Sequence, residues 1–95
     1  MNQVVLSARI AEAKALRYTP AGLPALDLQL EHESEVSQAG ATRQVKVVLR
    51  AVAFGTEAET LARQAIGSHW RFAGFLATPR NGKQPVLQIQ QFQQD

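Results

Sequence analysis

The chain has 95 residues, and its 10 Lys and Arg against 8 Asp and Glu leave a net charge of only +2. A chain of this length forms one modest core, so we expect residues 1–95 to be a single domain. The lack of cysteine excludes disulfides and thiolate metal sites. No apolar run approaches the roughly 18 residues of a membrane span, and the N-terminus lacks signal-peptide features. We therefore expect a cytoplasmic protein with no membrane partner.

The N-terminal third predicts two strands. Apolar residues alternate from Val4 to Ile10, and we interpret residues 3–18 as one long, bent strand. Pro20 and Gly22 then suit a tight turn. Residues 25–33 alternate between leucines with His32 on one face and acids with Gln29 on the other. This pattern is typical of a half-buried strand, and we expect a loop at residues 37–40.

A third strand and a short helix follow. Residues 44–54 are rich in β-branched side chains, with Lys46 and Arg50 on one outward face. Thr56 is the expected N-cap of the helix, in a capping box with Glu59. We expect Gly67 to end this helix.

The last two predicted strands cover residues 70–77 and 85–92. Between them, Asn81-Gly82 indicates a tight hairpin turn. Trp70 and Phe72 share a strand face that we expect to lie in the core. In the last strand, we place Gln91 on the same face as the apolar Leu87 and Ile89.

The predicted order is three strands, a helix and two strands. This is the connectivity of the OB-fold, an all-β, five-stranded Greek-key barrel with one short helix between strands three and four. The exposed face of such barrels commonly binds single-stranded nucleic acid or saccharide.

The charge distribution favours nucleic acid. No acid occurs in residues 61–94, whereas acids cluster in residues 31–59. A local basic stripe attracts phosphate more strongly than the net charge indicates, although charges placed for solubility give a similar pattern.

Single-strand binding combines cations that follow phosphates with flat side chains on which bases stack. Each cation taken alone also fits an ordinary solvated side chain, so the hypothesis depends on the set. The candidate DNA-binding residues are Arg17, Tyr18, Arg43, Lys46, Arg50, Arg71, Arg80 and Lys83.

Catalytic patterns are missing from the sequence. It has no Gly-rich phosphate loop, no metal-ligand spacing and no nucleophile elbow, so we expect no enzyme activity, no catalytic residue, no metal and no cofactor. Glu31, Glu33 and Glu35 share one strand face, but carboxylates on an open polar face are typical of solubilising charges. His32, in line with the leucines, is expected to be half-buried and hydrogen-bonded.

Several segments resemble known families. Residues 4–7 (VVLS) and 16–24 (LRYTPAGLP) resemble the start of bacterial single-stranded DNA-binding proteins. Residues 30–34 (LEHES), with Gly74-Phe75 and the Asn81-Gly82 hairpin, are closer to the primosomal replication protein N (PriB) family. The resemblance covers nearly the whole chain. It implies a homodimeric OB-fold protein that binds single-stranded DNA and helps the PriA helicase and other primosome proteins to reload the replicative helicase at stalled forks.

The chain departs from that family pattern at the binding positions. A stacking Trp on strand three corresponds here to Lys46, and a hairpin with several lysines keeps only Arg80 and Lys83, while Arg17 matches. These differences favour weak, salt-sensitive DNA binding. Two alternatives stay open: a protein-interaction module with little DNA affinity, and a general single-stranded DNA- or RNA-binding protein.

Overall fold

The protein consists of six β-strands and one short helix, as described over residues 1–95 by a computed structural model. The elements in chain order are β1 (Val4–Ala13), β2 (Arg17–Tyr18), β3 (Pro24–Gln38), β4 (Ala41–Phe54), α1 (Thr56–Ala62), β5 (His69–Ala77) and β6 (Val86–Gln93). The helix is too short to cross a membrane.

Five of the strands close into a barrel. β1 pairs antiparallel with both β3 and β5, β5 pairs with β6, and β3 pairs with β4. A short parallel pairing of β4 with β6 completes the ring. The order β1-β3-β4-β6-β5, with one helix between β4 and β5, confirms the predicted OB-fold. β2 adds a two-residue strand to the start of β3.

The core follows from strand alternation. Leu26, Leu28 and Leu30 of β3 point inward and are at most 5% exposed. Phe72 of β5 and Leu87 of β6 meet them from the other side of the barrel. From the helix, Ala58 and Leu61 are buried in the same cluster.

Trp70 and Phe72 of β5 pack on Phe92 of β6, as expected of core residues. Phe92 lies edge-on to Trp70, with ring centroids 5.2 Å apart, and stacks on Phe72 at 6.3 Å. The indole Nε1–H of Trp70 donates a hydrogen bond to the Ser68 hydroxyl, at 2.8 Å. Phe72 is fully buried and Trp70 packs against the core, which confirms their shared inward face.

The N-terminal strand differs from the prediction of one bent strand over residues 3–18. β1 ends at Ala13, and β2 begins separately at Arg17. The register shifts between Ile10 and Glu12, after β1 has left β5 and joined β3. The bulge at this point bends β1. Its pairing with β3 then ends at Ala13.

The expected loop at residues 37–40 is also wrong. β3 and β4 stay paired as far as Gln38 opposite Ala41. Ala39 and Gly40 alone make the turn, with φ values of 52° and 78°, as a two-residue turn of the I′ type requires. The paired residues 33–46, which we call the arm, have no strand partner besides each other. The molecule measures 51 × 28 × 20 Å.

The helix begins without the predicted capping box. Thr56 is the first helical residue, and the N-cap is Gly55, at φ 68°, with no side-chain capping bond. The Gly55 N–H donates instead to the Pro24 carbonyl, at 2.8 Å, which ties the helix start to β3. The helix ends at Ala62 rather than at Gly67, whose N–H donates to the Ile10 carbonyl at 2.7 Å.

The connection between β5 and β6 is close to the predicted gap between strands 70–77 and 85–92, but its turn is not centred on Asn81-Gly82. The last paired residues are Ala77 and Val86, so residues 78–85 form a loop, which we call the β5–β6 loop. Its turn is closed by a hydrogen bond from the Gly82 N–H to the Pro79 carbonyl, at 3.0 Å. Arg80 and Asn81 therefore occupy the centre of the turn.

A bulge interrupts the β5–β6 pairing. Ala73 pairs with Gln91, but the next residue, Gly74, pairs with Ile89, which leaves one extra residue on β6. A Cβ atom added to Gly74 would overlap the carbonyl of Gln88. Only glycine fits this close approach of two backbones.

Candidate nucleic-acid interface

A cleft of about 520 Å³ lies on the outer wall of the barrel. Outward-facing residues of β3 and β4 form its floor. The end of β1 and β2 lie on one side, and the base of the β5–β6 loop lies on the other. The residues lining it are Glu12, Lys14, Arg17, Asp27, Leu28, Gln29, Arg50, Ala51, Val52, Phe54, Ala77, Thr78, Pro79, Val86 and Gln88.

The cleft holds three cations and two acids. Lys14, Arg17 and Arg50 are the cations, and Glu12 and Asp27 are the acids. Arg50 pairs in register with the neutral Gln29, and neither Arg50 nor Lys14 forms a salt bridge. The positive charge available in the cleft therefore comes from Lys14 and Arg50.

Arg17 is already paired with an acid. Its Nε–H donates to Asp27 Oδ2 at 2.6 Å, and its Nη2–H donates to Oδ1 at 3.1 Å. This hydrogen bonding lowers the pKa of Asp27 from its usual value, against the opposing effect of partial burial, and raises the pKa of Arg17. The bidentate pair holds the Arg17 side chain against β3.

Two of the candidate cations, Lys46 and Arg43, lie on opposite faces of the arm. Lys46 and Arg50 share the outward face of β4, as predicted. Lys46 is opposite Glu33, with its Nζ 3.6 Å from Oε1. Arg43 pairs with Val36 on the other face of the arm, where its Nη1–H donates to the side-chain oxygen of Gln38.

Tyr18 lies outside the cleft. It follows Arg17 in β2 and pairs with Pro24, so its ring points to the opposite face of the β2–β3 pair. Its side chain is 64% exposed, but it does not line the cleft with Arg17.

Arg80 and Lys83 lie in the β5–β6 loop, directly after the cleft-lining Thr78 and Pro79. Both are exposed and neither forms a salt bridge. Neither residue lines the cleft itself, and both belong to the same loop as its lining residues Thr78 and Pro79.

Arg71 lies on a different part of the outer wall. It shares a shallow notch with Val5, Ala73, Gln91 and Gln93. With the Gln93 amide oriented so that its oxygen faces the guanidinium, that oxygen accepts from Arg71 Nη2 at 2.6 Å and from Nε at 3.1 Å. The eight candidates therefore do not form one surface.

Two aromatic residues that sequence reasoning did not select lie near the cleft. Phe54 lines it. Phe75 is opposite Gln88, a cleft residue. Strict alternation from the buried Phe72 would have placed Phe75 on the outward face, so this residue could have been found from the sequence. Lys14 also lines the cleft, although it was not among the eight candidates.

His32 is the half-buried, hydrogen-bonded residue that the sequence predicts. Its Nδ1 lies 2.5 Å from the Ser7 carbonyl, and its Nε2 lies 2.8 Å from the Ser34 hydroxyl. The carbonyl can only accept, so Nδ1 carries a proton, and both ring nitrogens have a hydrogen-bond partner. His32 thus joins β1 and β3 where their strand pairing has ended.

Comparison with known proteins gives consistent results. The profile of a family described as "another single-strand binding protein family" matches residues 2–91. The replication restart protein PriB of Bordetella pertussis is 49% identical over 92 residues, covering 96% of this chain and 86% of the relative. PriB of Nitrosomonas europaea is 36% identical over 89 residues, covering 93% and 82% of the two chains.

Solved structures agree with these relatives. PriB from Ralstonia solanacearum superimposes with a TM-score of 0.89 at 33% identity, covering 99% of this chain and 97% of that one. A deletion mutant of the single-stranded DNA binding protein from Thermus aquaticus gives a TM-score of 0.79 at 25% identity, covering 98% of this chain and 49% of that one.

Proposed function

The chain belongs to the replication restart protein PriB family, and on that basis we propose that it binds single-stranded DNA as an accessory protein of replication restart in the cytoplasm. The observation that carries the proposal is the cleft on the outer wall of the barrel. Lys14 and Arg50 line it and form no salt bridge, and Arg80 and Lys83 belong to the loop whose residues Thr78 and Pro79 line its wall. Cations spaced along a groove are what a phosphate backbone requires.

Binding in this cleft depends on charge more than on base recognition. The cleft also contains the neutral amides of Gln29, which is opposite Arg50, and of Gln88 on β6. Amide groups donate and accept hydrogen bonds, so they suit any base. Phosphate contacts position a strand without reading its sequence. The proposed activity is therefore binding without sequence preference, and no catalytic step is part of it.

We infer that the chain works with the PriA helicase and other primosome proteins, and that it helps to reload the replicative helicase at stalled forks. Support comes from the resemblance to the PriB family and from the small number of unpaired cations in the cleft. A site with few phosphate contacts binds weakly by itself, so a partner that also holds the fork raises the effective concentration of DNA.

We also infer a homodimer. Residues 4–8 pair with β5 on one side, but β3 joins β1 only from Arg9 onward. The Ser7 carbonyl accepts a hydrogen bond from His32. The edge of β1 before Ser7 has no strand partner on that side, and Val5 there is 60% exposed. An open strand edge is a template for pairing with a second copy, and the mass in solution, measured by sedimentation, tests this.

The alternative of a protein-interaction module is favoured by the arm. Val36 is exposed there, and Val47 and Val48 are exposed on β4 directly beyond it. Within the arm, Lys46 is matched by Glu33. The alternative of RNA binding is tested by comparing DNA and RNA oligomers of the same sequence, because discrimination between them must involve the 2′-hydroxyl.

The central experiment is titration of fluorescent oligo-dT at several salt concentrations, with and without the PriA helicase. If Lys14, Arg50, Arg80 and Lys83 each neutralise a phosphate, log K falls against log[salt] with a slope of about −3. Reversing both loop charges, with Arg80→Glu and Lys83→Glu, is expected to weaken binding at least tenfold and to leave the melting temperature unchanged.

The matched control is Arg63→Glu, because Arg63 lies at the end of α1, outside the cleft. This variant is expected to bind oligo-dT nearly as well as the original chain. A binding constant that does not respond to salt would contradict the DNA-binding proposal. Undiminished affinity in the Arg80→Glu, Lys83→Glu variant would remove the β5–β6 loop from the site.

A further inference from the structure

A continuous strip of outward-facing residues leads away from the cleft along β5 and β6. Ala77 and Val86, which pair with each other, both line the cleft. Farther along the same two strands, Phe75 pairs with Gln88, Ala73 with Gln91, and Arg71 with Gln93. We call these three pairs the β5–β6 strip: Phe75, Gln88, Ala73, Gln91, Arg71 and Gln93.

The strip has the side chains that bind single-stranded nucleic acid. Phe75 faces away from the core cluster and is half-buried, so part of its ring is available for stacking. Gln88, Gln91 and Gln93 line one side with amides, and Arg71 ends the strip with a guanidinium. No Asp or Glu occurs anywhere in residues 61–94, so neither strand places a negative charge beside an approaching phosphate.

The bulge at Gly74 keeps these residues on one face. Because β6 has one extra residue there, Gln91 and Gln93 face outward, whereas Phe92 faces inward against Trp70. With unbroken alternation from Gln88, the outward residues would instead be Gln90 and Phe92. The strip and the aromatic core contact therefore depend on the same bulge.

Arg71 is held in place and remains available. The side-chain oxygen of Gln93 accepts from its Nε and Nη2, which fixes the guanidinium over the strip. The remaining N–H donors are free to bind an anion. Phe75 and Arg71 are four residues apart on one strand, which is about 13 Å.

We propose that a DNA single strand bound in the cleft continues along the β5–β6 strip, with a base stacked on Phe75 and a phosphate bound by Arg71. This inference rests on the proposed function. It adds a second contact region that only longer strands reach, because the cleft alone accommodates a short strand. Stacking tolerates every base and the amides adapt to any of them, so this extension is independent of sequence.

The test is a length series of oligo-dT, from strands confined to the cleft to strands long enough to pass Arg71. For the original chain, affinity is expected to rise with length until the strip is filled. Arg71→Gln and, separately, Phe75→Leu are expected to weaken binding of the long strands about fivefold to tenfold. Arg71→Gln is expected to leave binding of the shortest strands unchanged.

Arg63→Gln is the matched control, since it removes the same charge from the end of α1. It is expected to have no effect at any length. Phe75→Leu keeps apolar volume, and its thermal unfolding is compared with that of the original chain. Should that variant fold poorly, Arg71→Gln decides alone, because Arg71 is exposed.

Two results would overturn the proposal that DNA continues along the β5–β6 strip. One is a long-strand affinity that Arg71→Gln does not change, and the other is an equal loss at all lengths, which indicates a general charge effect. Arg50→Glu separates this inference from the proposed function, because it is expected to weaken short and long strands alike. If the original chain binds no oligomer of any length, both proposals fail.

Discussion

Two outward faces of the same barrel use their cations differently. On the β3–β4 face, Arg17 is held by Asp27 and Lys46 lies opposite Glu33. On the β5–β6 strip, Arg71 has no acidic neighbour: it pairs with Ser7 and Gln93 and shares its notch with Val5, Ala73 and Gln91. A surface ion pair contributes little to stability, but it does neutralise a charge that would otherwise attract phosphate.

The difference shows that a count of cations is a poor measure of a phosphate-binding surface. The β3–β4 face has more cations than the strip, yet acids of β3 pair with two of them, Arg17 and Lys46. A phosphate that binds Arg17 must displace Asp27 or share the guanidinium with it. The net charge of +2 averages over these two faces and describes neither.

The largest expected effect comes from a substitution at Gly74, where β5 and β6 approach closely beside the bulge. Gly74→Ala places a Cβ atom against the Gln88 carbonyl, and backbone cannot yield as a flexible side chain does. We expect a loss of about 3 kcal/mol in the free energy of unfolding, the upper end for overpacking. Denaturant unfolding measures it.

The control for this variant is Gly82→Ala in the exposed β5–β6 loop, where the nearest atoms are those of the Pro79 ring. It is expected to change the free energy of unfolding by less than about 0.5 kcal/mol. Equal stability of the two variants would show that the strands can separate at Gly74 without cost.

A smaller effect is expected from neutralising the acids of the β3–β4 face. Glu33→Gln together with Glu35→Gln removes two negative charges beside Lys46. A unit charge about 4 Å from a phosphate in water interacts by about 1 kcal/mol, so we expect oligo-dT affinity to rise about fivefold at low salt.

Glu57→Gln together with Glu59→Gln makes the same charge change on α1, away from the cleft. This pair is expected to raise the affinity much less. If both double variants raise it equally, the gain comes from the overall charge, and the local contrast between the two faces has no bearing on binding.

The smallest expected effect concerns the Arg17–Asp27 pair. The pKa of Asp27 is lowered in the folded chain, mainly by the hydrogen bond from Arg17. The pair therefore stabilises the fold above the pKa of about 3.9 that Asp has when unfolded, and this contribution is lost as pH falls through the lower folded value. Because the pair is exposed, we expect it to contribute less than about 1 kcal/mol.

Asp27→Asn lacks this titration. Chemical unfolding of both chains between pH 7 and pH 3 is expected to show that the free energy of unfolding falls more steeply for the original chain at the acid end. Parallel curves would mean that the pair has no net effect on stability. Other carboxylates titrate equally in both chains, so the difference isolates Asp27.

Most of the barrel could be predicted because its inward residues alternate. In β3, the alternation of Leu26, Leu28 and Leu30 with polar residues is enough to predict a strand. The arm could not be predicted in the same way. Its turn places the non-glycine Ala39 at positive φ, which local sequence disfavours, and long pairing of β3 with β4 overrides that cost. The bulge at Gly74 likewise depends on a neighbouring strand.

The candidate site was predictable where it depends on one strand and not where it depends on two. Alternation correctly placed Lys46 and Arg50 on one face. The partners of the cations, such as Glu33 for Lys46, require the register between strands, which the sequence of one strand does not contain. The position of Arg71 on another part of the wall requires the closure of the barrel.

The arm consists of β3 and β4 residues that pair only with each other, beyond the last contact of β3 with β1. Its hydrogen bonds can therefore break and re-form while the barrel stays intact, because no buried core residue belongs to it. Amide protons in the arm and in the barrel report separate equilibria. The free energy that holds the arm together is a local quantity, and mutations in the arm can change its lifetime without moving the global unfolding transition.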